Sequence, residues 1–285
     1  MVTGDFLPGM ELALQQAGTA ARLLRGRVAN EGKPDPAGSL AGDDLSQAKR
    51  TAKTAADELV QELLLLAALR LMPSGSVRLD PEEDTATVER FPPLAGGTGP
   101  VLVVDPIDGT LHYVTGQRGY SVCLGLVDRG EMRAAAVYFP DHDDCYGLDE
   151  SGTAYLAHDF STRGWAQAVR LAVAPFDGPV IHGNVRVGQP VRDALGRAGF
   201  RFTDDHHSSG PDCLLALLRG QSLGYLAHTR HVRDLLLGAV LQGAGAVAVD
   251  WSGEPLRWPD GGRLPRAAFL GSAPDARLLN CLREG

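Results

Sequence analysis

The sequence predicts an α/β protein whose N-terminal half is α+β and whose C-terminal half is α/β. Two helical patterns and a run of paired strands fill the first half, whereas single strands alternate with helices from about residue 165. The change falls between residues 150 and 170, so we assign one unit to residues 1–160 and a second to residues 161–285.

The composition argues against some classes of binding partner. With 285 residues, 44% of them hydrophobic and 22% charged, the chain is typical of a globular protein. A formal charge of -8 argues against a surface that binds the phosphates of a nucleic acid polymer. The longest apolar run, residues 63–69, is far shorter than the ~20 residues of a membrane span, so no membrane partner is expected.

Two further patterns predict the cellular location of the protein and the state of its cysteines. Asp5 and Glu11 precede any apolar stretch, which does not resemble a secretory signal, and we therefore expect a cytoplasmic protein. The four cysteines lie far apart without C-x-x-C spacing, which predicts buried free thiols rather than disulfides or a zinc site.

The N-terminal half begins with two predicted helices. Residues 9–29 form the first, with an amphipathic spacing carried by Leu12, Leu14, Ala17 and Leu23. Residues 30–46 are rich in Gly, Pro and Asp and predict a loop. The second helix runs from Thr54 to Leu71 and stops before Pro73, and residues 80–85 are irregular.

Strands dominate the middle of the chain and alternate with helices after it. Two hairpins are predicted, one around residues 128–130 and one around residues 151–152. The C-terminal half then gives strands and helices in turn, in the segments 179–184, 190–199, 200–205, 211–220 and 222–228.

The stretch VLVVDPIDGT, residues 101–110, carries the strongest chemical signal. Four apolar residues predict a buried strand, with Asp105 at its end and Asp108 beyond it on a turn. Gly109 allows a close turn and Thr110 can begin a helix. Asp-Pro and Asp-Gly are common in turns, but together after an apolar strand they favour a site for a hard cation and a phosphate, and hence phosphoryl chemistry.

At these residues the chain resembles a known family. DPIDGT is similar to the D-P-[IL]-D-G-T hallmark of the inositol monophosphatase-like phosphatases, which depend on magnesium and are typically sensitive to lithium. Residues 233–256 are similar to the later W-D-x-A-A-G segment of that family, and Asp234 stands at the position of its distal metal-binding aspartate. The resemblance covers nearly the whole chain and implies a layered αβαβα sandwich with its active site between the two halves.

Two weaker similarities suggest further site residues. The family has a Glu-Glu pair about twenty residues before its first motif aspartate, and Glu82 and Glu83 lie 23 and 22 positions before Asp105. Glu82 is the preferred ligand because the first of the pair is the usual one. The same residues could instead begin a helix with Asp80 as its N-cap and Pro81 in the first turn.

The second similarity concerns Asp57. TAKTAADELV, residues 51–60, is similar to the V-T-x-A-D segment, whose aspartate and the motif threonine activate the attacking water. In this chain those residues would be Asp57 and Thr110. Thr54 and Asp57 also fit a capping box, and one carboxylate could serve both roles.

The resemblance implies a set of roles. Two or three Mg²⁺ ions would be bound at Glu82, Asp105, Ile107, Asp108 and Asp234, with Asp105 bridging. Phosphate would be held at Asp108, Gly109 and Thr110, and catalysis would involve Asp57, Glu82 and Thr110. Water would attack a small phosphorylated metabolite, such as an inositol phosphate, a sugar phosphate or a nucleotide 3'-phosphate, without a phosphoenzyme. Homodimers are common in the family.

The substrate side is less defined. Ser209 and Gly210 loosely resemble the substrate-side turn of the family. His228 and His231, with Arg230 between them, could bind a second phosphate or a nucleotide, or could lie on a solvated loop.

Two alternatives remain at this point. Haloacid dehalogenase-type phosphatases carry D-x-D-G-T with a nucleophilic aspartate, but the aspartates here are three positions apart, about a hundred residues into the chain. A relative without turnover, acting as a metal-binding or metabolite-binding regulator, is suggested by departures from the family pattern. These are Arg233 in place of tryptophan, Leu235 to Leu237 in place of small residues, Gly243-Ala244-Gly245 in place of the acidic-glycine signal, and Leu111 and His112 in place of a polar pair.

Overall fold

The sheets and helices stack in five layers. The structure, a computed structural model, describes residues 6–32, 53–72, 75–95, 97–205, 208–272, 274 and 276–284. Within these ranges the strands form a seven-stranded sheet and a five-stranded sheet. Hydrophobic cores lie outside each sheet and between the two. The order helix, sheet, helix, sheet, helix confirms the layered α/β fold expected from the sequence.

Two helices cover the outer face of the first sheet. Helix α1 (Phe6–Leu24) packs on α2 (Ala55–Leu71), and Thr54 caps α2 as predicted. Helix α1 begins and ends earlier than the predicted 9–29, and the predicted core positions Leu12 and Leu23 are 64% and 58% exposed. The buried face instead follows residues spaced three and four apart, namely Phe6, Met10, Ala13, Leu14, Ala17 and Ala21. Of the predicted loop 30–46, residues 33–46 lie outside the described ranges.

The first sheet is mainly an antiparallel meander. Its strands follow chain order: β1 (Arg78–Asp80), β2 (Val101–Asp108), β3 (Ser121–Asp128), β4 (Glu131–Phe139), β5 (Asp144–Leu148), β6 (Ala154–Ala157) and β7 (Val169–Arg170). Only β1 and β2 pair in parallel among these described strands. Both predicted hairpins are confirmed. The helix start considered at Asp80 is wrong, because Asp80 ends a strand that pairs with β2.

The second sheet has the order β11-β12-β10-β8-β9. Its strands are β8 (Val180–Gly183), β9 (Arg201–Asp204), β10 (Gly224–His231), β11 (Val247–Val249) and β12 (Arg263–Leu270). The strands β8, β9 and β10 are parallel, which matches the predicted alternation of strands and helices. Since β7 belongs to the first sheet, the change of sheet falls between residues 170 and 180, and the division at residues 160 and 161 stays a prediction.

The remaining helices complete the layers. They are the short α3 (Thr110–Val114) and α4 (Phe160–Arg163), then α5 (Gln189–Arg197), α6 (Gly210–Leu218), α7 (Leu236–Gly243) and α8 (Ala276–Arg283). Helices α6 and α7 supply buried leucines to the core between the sheets, while α5 and α8 cover the outer face of the second sheet.

The faces of β2 decide where its aspartates point. Val101 and Val103 belong to the core between the sheets, whereas Leu102 and Val104 belong to the outer core under α1 and α2. By the same alternation Asp105 faces the centre of the molecule. This face is the origin of the candidate site.

Two smaller expectations can be compared with the structure. All four cysteines are free and buried, as predicted. Within the described residues, none of the helices has the length and apolar character needed to cross a bilayer.

We predict that Gly18→Ala destabilises the protein by about 1–3 kcal/mol, although alanine favours helices. An added Cβ at Gly18 would overlap the ring of Tyr138, which is fully buried on β4. Gly196→Ala in α5 is the matched control, since nothing lies within 4 Å of its added Cβ, and it should gain about 0.5–1 kcal/mol. Urea unfolding measures both, and an equally stable Gly18→Ala would show that this packing is looser than described.

Candidate active site

Asp105 and Asp108 lie at an irregular end of β2. The strand does not stop at Asp105 as the sequence suggested but continues to Asp108. Its register against β3 shifts between the pairs Asp105–Cys123 and Asp108–Ser121. In a regular strand residues three apart point to opposite faces, so a local irregularity is needed to bring both carboxylates to one place.

The turn after β2 has the predicted form. Gly109 adopts a φ of +90°, and an added Cβ would lie 3.0 Å from the carbonyl oxygen of Gly119. Glycine is therefore required by both the conformation and the space. Helix α3 begins at Thr110, so the N–H groups at its start point away from the helix towards the end of β2.

Glu82 reaches the same place through the parallel pairing of β1 and β2. Asp80, the last residue of β1, is in register with Val103, so the chain that follows runs towards the end of β2. Burial raises the pKa of Asp105 well above its usual value, and the Glu82 carboxyl raises this pKa further by charge and by a hydrogen bond.

Asp234 arrives from the second half of the chain. It lies in a 3₁₀ turn (Arg233–Leu235) that packs against the end of β2. Burial raises the pKa of Asp108, and the charge of Asp234 is the next largest cause. The structure therefore brings together Glu82, Asp105, Asp108 and Asp234 from separate segments.

Glu82 and Glu83 have different surroundings. The carboxylate of Glu83 lies 3.3 Å from the Lys53 ammonium. Its backbone N–H and carbonyl both bond the side-chain amide of Gln61, which fixes this residue against α2. Only Glu82 of this pair faces Asp105, which agrees with the choice made from the sequence, while its role as a ligand stays a proposal.

The donor atoms suit a hard divalent cation. Carboxylate oxygens are the ligands that Mg²⁺ prefers, and Oδ1 of Asp105 is buried without a hydrogen-bond partner. In the part of the chain that the structure describes, however, no three His, Cys, Asp or Glu side chains are arranged to coordinate an ion as they stand. The side chain of Ile107 belongs to the outer core, and its carbonyl accepts a hydrogen bond from the Thr110 hydroxyl at 2.8 Å.

Two arginines stand among the carboxylates. Nη2 of Arg230 lies 2.6 Å from Oδ2 of Asp205, and its Nη1 lies 3.6 Å from Oδ2 of Asp234. The Arg230 charge opposes the rise in the pKa of Asp108. The second arginine, Arg233, lies 4.0 Å from Asp234. Sequence reasoning missed the pairing of Arg230 with Asp205, although an aspartate after a parallel strand is a usual sign of a site.

Asp57 caps α2 and also lies beside Thr110, while its part in catalysis stays a prediction. Its Oδ2 accepts hydrogen bonds from the Thr54 N–H at 2.8 Å and the Thr54 hydroxyl at 2.7 Å, which forms the helix cap. Its Oδ1 lies 3.4 Å from the Thr110 hydroxyl. Burial raises the pKa of Asp57 to about 7, against the opposing effect of the Thr54 hydrogen bond.

The substrate-side residues divide into two groups. Ser209 caps α6 by accepting the Asp212 N–H at 3.1 Å, and Gly210 lies beside Arg230, whose Nη2 would be 3.1 Å from an added Cβ. His231 lies close enough to Asp234 for that charge to act on its pKa, which burial lowers. His228 lies instead against Trp251, with ring centroids 5.4 Å apart, on the outer face of the second sheet.

Fold and site together define a layered α/β protein with clustered carboxylates between its two sheets. The profile of the inositol monophosphatase family matches residues 9–277, so the chain belongs to that family. This confirms the family resemblance drawn from the motifs.

Individual relatives are more distant. Inositol-1-monophosphatase of Bacillus subtilis is 34% identical over 58 residues, which are 20% of this chain and 22% of that protein. The 3'(2'),5'-bisphosphate nucleotidase CysQ of Escherichia coli is 30% identical over 169 residues, 59% of this chain and 64% of that protein. The chain thus spans less than two thirds of the length of these curated relatives.

Solved structures share the fold over nearly the whole chain. An inositol monophosphatase from Thermotoga maritima matches with a TM-score of 0.70 at 17% identity, covering 98% of this chain and 97% of that one. An IMPase/NADP phosphatase complexed with Mg²⁺ and phosphate matches with a TM-score of 0.68 at 15% identity, covering 94% and 91%. At these identities the likeness establishes the fold alone.

We predict that Asp57→Asn removes part of the pH dependence of stability in the metal-free protein. The folded state keeps the Asp57 proton up to about pH 7, whereas the unfolded chain releases it near 3.8. The folded state therefore binds more protons between these values, and this group makes the free energy of unfolding fall as pH rises through that window. Over the whole window its share is on the order of 4 kcal/mol.

The measurement is the free energy of unfolding in EDTA at several values between pH 4.5 and pH 8. Glu58→Gln, at a 44% exposed side chain on the same helix, is the matched control and should follow the wild type. Equal slopes for Asp57→Asn and the wild type would contradict the raised pKa.

Proposed function

We propose that the protein is a divalent-metal-dependent phosphomonoesterase that hydrolyses a small phosphorylated metabolite. The observation that carries this proposal is the meeting of Glu82, Asp105, Asp108 and Asp234 beside the Asp57–Thr110 pair. Family membership supports it, as does the binding of Mg²⁺ and phosphate by the IMPase/NADP phosphatase of the same fold.

Mg²⁺ is the proposed cofactor, in two or three ions. The residues that would hold it are Glu82, Asp105, Asp108 and Asp234, with Ile107 through its carbonyl group. When bound, the ions would lower the pKa of water and neutralise charge on the phosphoryl and leaving oxygens. Oδ1 of Asp105 is buried without a hydrogen-bond partner, so it would be available as a ligand to these ions.

Thr110 and Asp57 would accept the proton that the attacking water loses. The Thr110 hydroxyl lies within reach of both the Ile107 carbonyl and Oδ1 of Asp57, so its orientation is restricted. A carboxyl with a pKa of about 7 is partly ionised near neutral pH, and its ionised form is a stronger base than an ordinary carboxylate. We therefore assign the pair to accepting the proton of the attacking water.

The turn after β2 would hold the phosphate. Gly109 and Thr110 offer N–H groups with no acceptor inside α3, which can donate to phosphate oxygens. Water attacks phosphorus, the bond from phosphorus to the leaving oxygen breaks, and the leaving oxygen takes up a proton. The free alcohol and inorganic phosphate are the products, and no side chain forms a bond to phosphorus.

The substrate is proposed to be an inositol phosphate, a sugar phosphate or a nucleotide 3'-phosphate. Ser209, Gly210 and His231 border the cluster near Arg230 and are the proposed contacts on this side. The position of His228 against Trp251 gives it no support as a contact. Homodimer formation and a cytoplasmic location stay predictions.

A regulator that binds metal or metabolite without turnover is the second candidate. It is favoured by the departures from the family pattern, above all by Arg233, whose guanidinium lies beside the Asp234 carboxylate. A panel of inositol phosphates, fructose bisphosphate, phosphoadenosine phosphate and NADP, assayed with Mg²⁺ and with or without lithium, separates the two. Release of phosphate that stops in EDTA and returns with Mg²⁺ supports the enzyme, whereas binding without release supports the regulator.

We predict that Asp105→Asn and Asp234→Asn each lower turnover by ~100-fold or more through lost metal affinity and charge stabilisation. Asn keeps the side-chain volume, so both variants should stay folded, and at the buried Asp105 a neutral amide also removes like-charge repulsion, so the melting temperature of Asp105→Asn in EDTA should not fall. Phosphate release and thermal unfolding measure the two effects. Near-normal rates in both variants would refute the metal cluster as the catalytic centre.

The adjacent glutamates give a matched pair of variants. Glu82→Gln should lower turnover by ~100-fold because Glu82 faces Asp105, whereas Glu83→Gln should keep turnover within a few-fold of the wild type. Glu83→Gln should instead lower stability, because it removes the contact of a buried carboxylate with Lys53. Phosphate release at saturating substrate and urea unfolding test both, and a reversed pattern would assign the ligand role to Glu83.

A further inference from the structure

Arg233 joins two segments that carry candidate metal ligands. Its side chain is 15% exposed and extends from the 3₁₀ turn of Asp234 towards the chain after β1. Nη1 lies 3.3 Å from the Pro81 carbonyl oxygen and 3.8 Å from Oδ1 of Asp80. Nε lies 4.0 Å from Oδ1 of Asp234. The guanidinium thus bridges the first sheet and the second half of the chain.

The guanidinium is held mainly by charge. Its Nε is buried without a hydrogen-bond partner, and both carboxylate contacts are at 3.8 Å or more. Hydrogen-bonded arginine–carboxylate pairs are shorter, at about 2.7–2.9 Å. The negative charges that act on Arg233 are, in decreasing order, those of Glu82, Asp234, Asp105 and Asp80. Among the described contacts the guanidinium donates one hydrogen bond, from Nη1 to the Pro81 carbonyl, so its displacement would break a single directed bond.

Arg230 is held by a shorter carboxylate contact than Arg233. It makes a 2.6 Å contact with Asp205, which is not one of the proposed metal ligands. Asp205 also accepts the N–H of Val185 through its other carboxylate oxygen, so the Arg230–Asp205 pair is anchored within the second half. Arg230 also lies 3.6 Å from Asp234, but its shortest contact is with Asp205, whereas the negative charge that acts most strongly on Arg233 is that of Glu82.

From these contacts we propose that Arg233 is a tethered cation that holds the carboxylate cluster together in the metal-free protein and competes with divalent ions for Glu82. This inference rests on the proposed metal dependence. Glu82 and Asp105 would neutralise their charges on a bound divalent ion, and the guanidinium of Arg233 would then be free to move away from Glu82. Arg233 is a positioning residue, since its effect on the reaction passes through Glu82 and Asp234.

Two consequences distinguish a tethered cation from an ordinary structural arginine. Loss of the charge should destabilise the metal-free protein and, at the same time, strengthen metal binding, because a competing charge a few ångströms away is removed. Loss of a structural contact would lower stability with and without metal and would weaken metal binding. The two measurements therefore move in opposite directions only under the proposal.

The test compares wild type, Arg233→Met, Arg233→Lys and the control Arg263→Met. Methionine keeps an unbranched apolar stem without the charge, lysine keeps the charge, and Arg263 is an exposed arginine on β12 beside His231. Mn²⁺ alone is titrated into each full-length protein, with free Mn²⁺ followed by electron paramagnetic resonance. Melting temperatures are measured in EDTA and at saturating Mn²⁺.

Arg233→Met is expected to bind Mn²⁺ about tenfold more tightly than the wild type. It should melt several degrees lower in EDTA and within about two degrees of the wild type at saturating Mn²⁺. Arg233→Lys and Arg263→Met should stay within about threefold of the wild-type affinity. Should Arg233→Met not fold in EDTA, recovery of a wild-type melting temperature in Mn²⁺ supports the proposal.

Unchanged or weaker Mn²⁺ binding by Arg233→Met, or equally tight binding by Arg233→Lys, would overturn the proposal while leaving the metal site intact. If Arg233→Met folds in neither condition, wild-type affinity in Arg233→Lys supports the proposal and tighter binding overturns it. Absence of Mn²⁺ binding by every protein, including the wild type, would reject the metal dependence itself. A lower melting temperature of Arg233→Met in EDTA would then show a structural ion pair only, which also overturns the competition with metal.

Discussion

Like charges buried next to one another are the constraint on which this molecule depends. Burial alone raises the pKa of Asp105 and Asp108, and each further carboxylate in the cluster raises these pKa values again. Such a cluster persists only if protons, cations or metal ions offset the repulsion. The described structure shows the cations, in the guanidinium groups of Arg230 and Arg233, and the raised pKa values of Asp105 and Asp108 indicate that protons contribute as well. The proposed Mg²⁺ ions would supply the third.

Particular features of the backbone place these side chains next to one another. The parallel pairing of β1 with β2 brings the segment that carries Glu82 to the end of β2, where Asp105 lies. The register shift at the end of β2 brings Asp108 to the same place, and the positive φ of Gly109 returns the chain into α3 without a side chain in the way. The precision of the site therefore comes from strand ends rather than from loops, which suits chemistry that requires fixed distances.

Apolar packing and polar contacts contribute differently to the junction of the two sheets. The core between them is built largely from leucines of α6 and α7 together with alternate residues of β2 to β5. Around its edge, side chains of the β1 region reach the second half: Arg78 contacts Asp260 at 2.9 Å, and Asp80 accepts the Gly262 N–H at 2.7 Å. The core holds the sheets together, and these directed contacts fix their relative position at the carboxylate cluster.

The sequence by itself determined the elements whose signals are local. The apolar run ending in DPIDGT gave the strand, the tight turn at Gly109 and the start of α3, and Thr54 gave the cap of α2. Spacing within the chain could not decide which face of α1 is buried, and Leu12 and Leu23 proved exposed because Gly18 and the small residues beside it pack against β4. The structure agrees with the choice of Glu82 over Glu83, but only the tertiary structure decided that Arg230 pairs with Asp205 and that Arg233 enters the cluster. These outcomes depend on charges and on burial contributed by segments far apart in the sequence. A local sequence pattern cannot predict the electrostatic environment that these segments form in the folded protein.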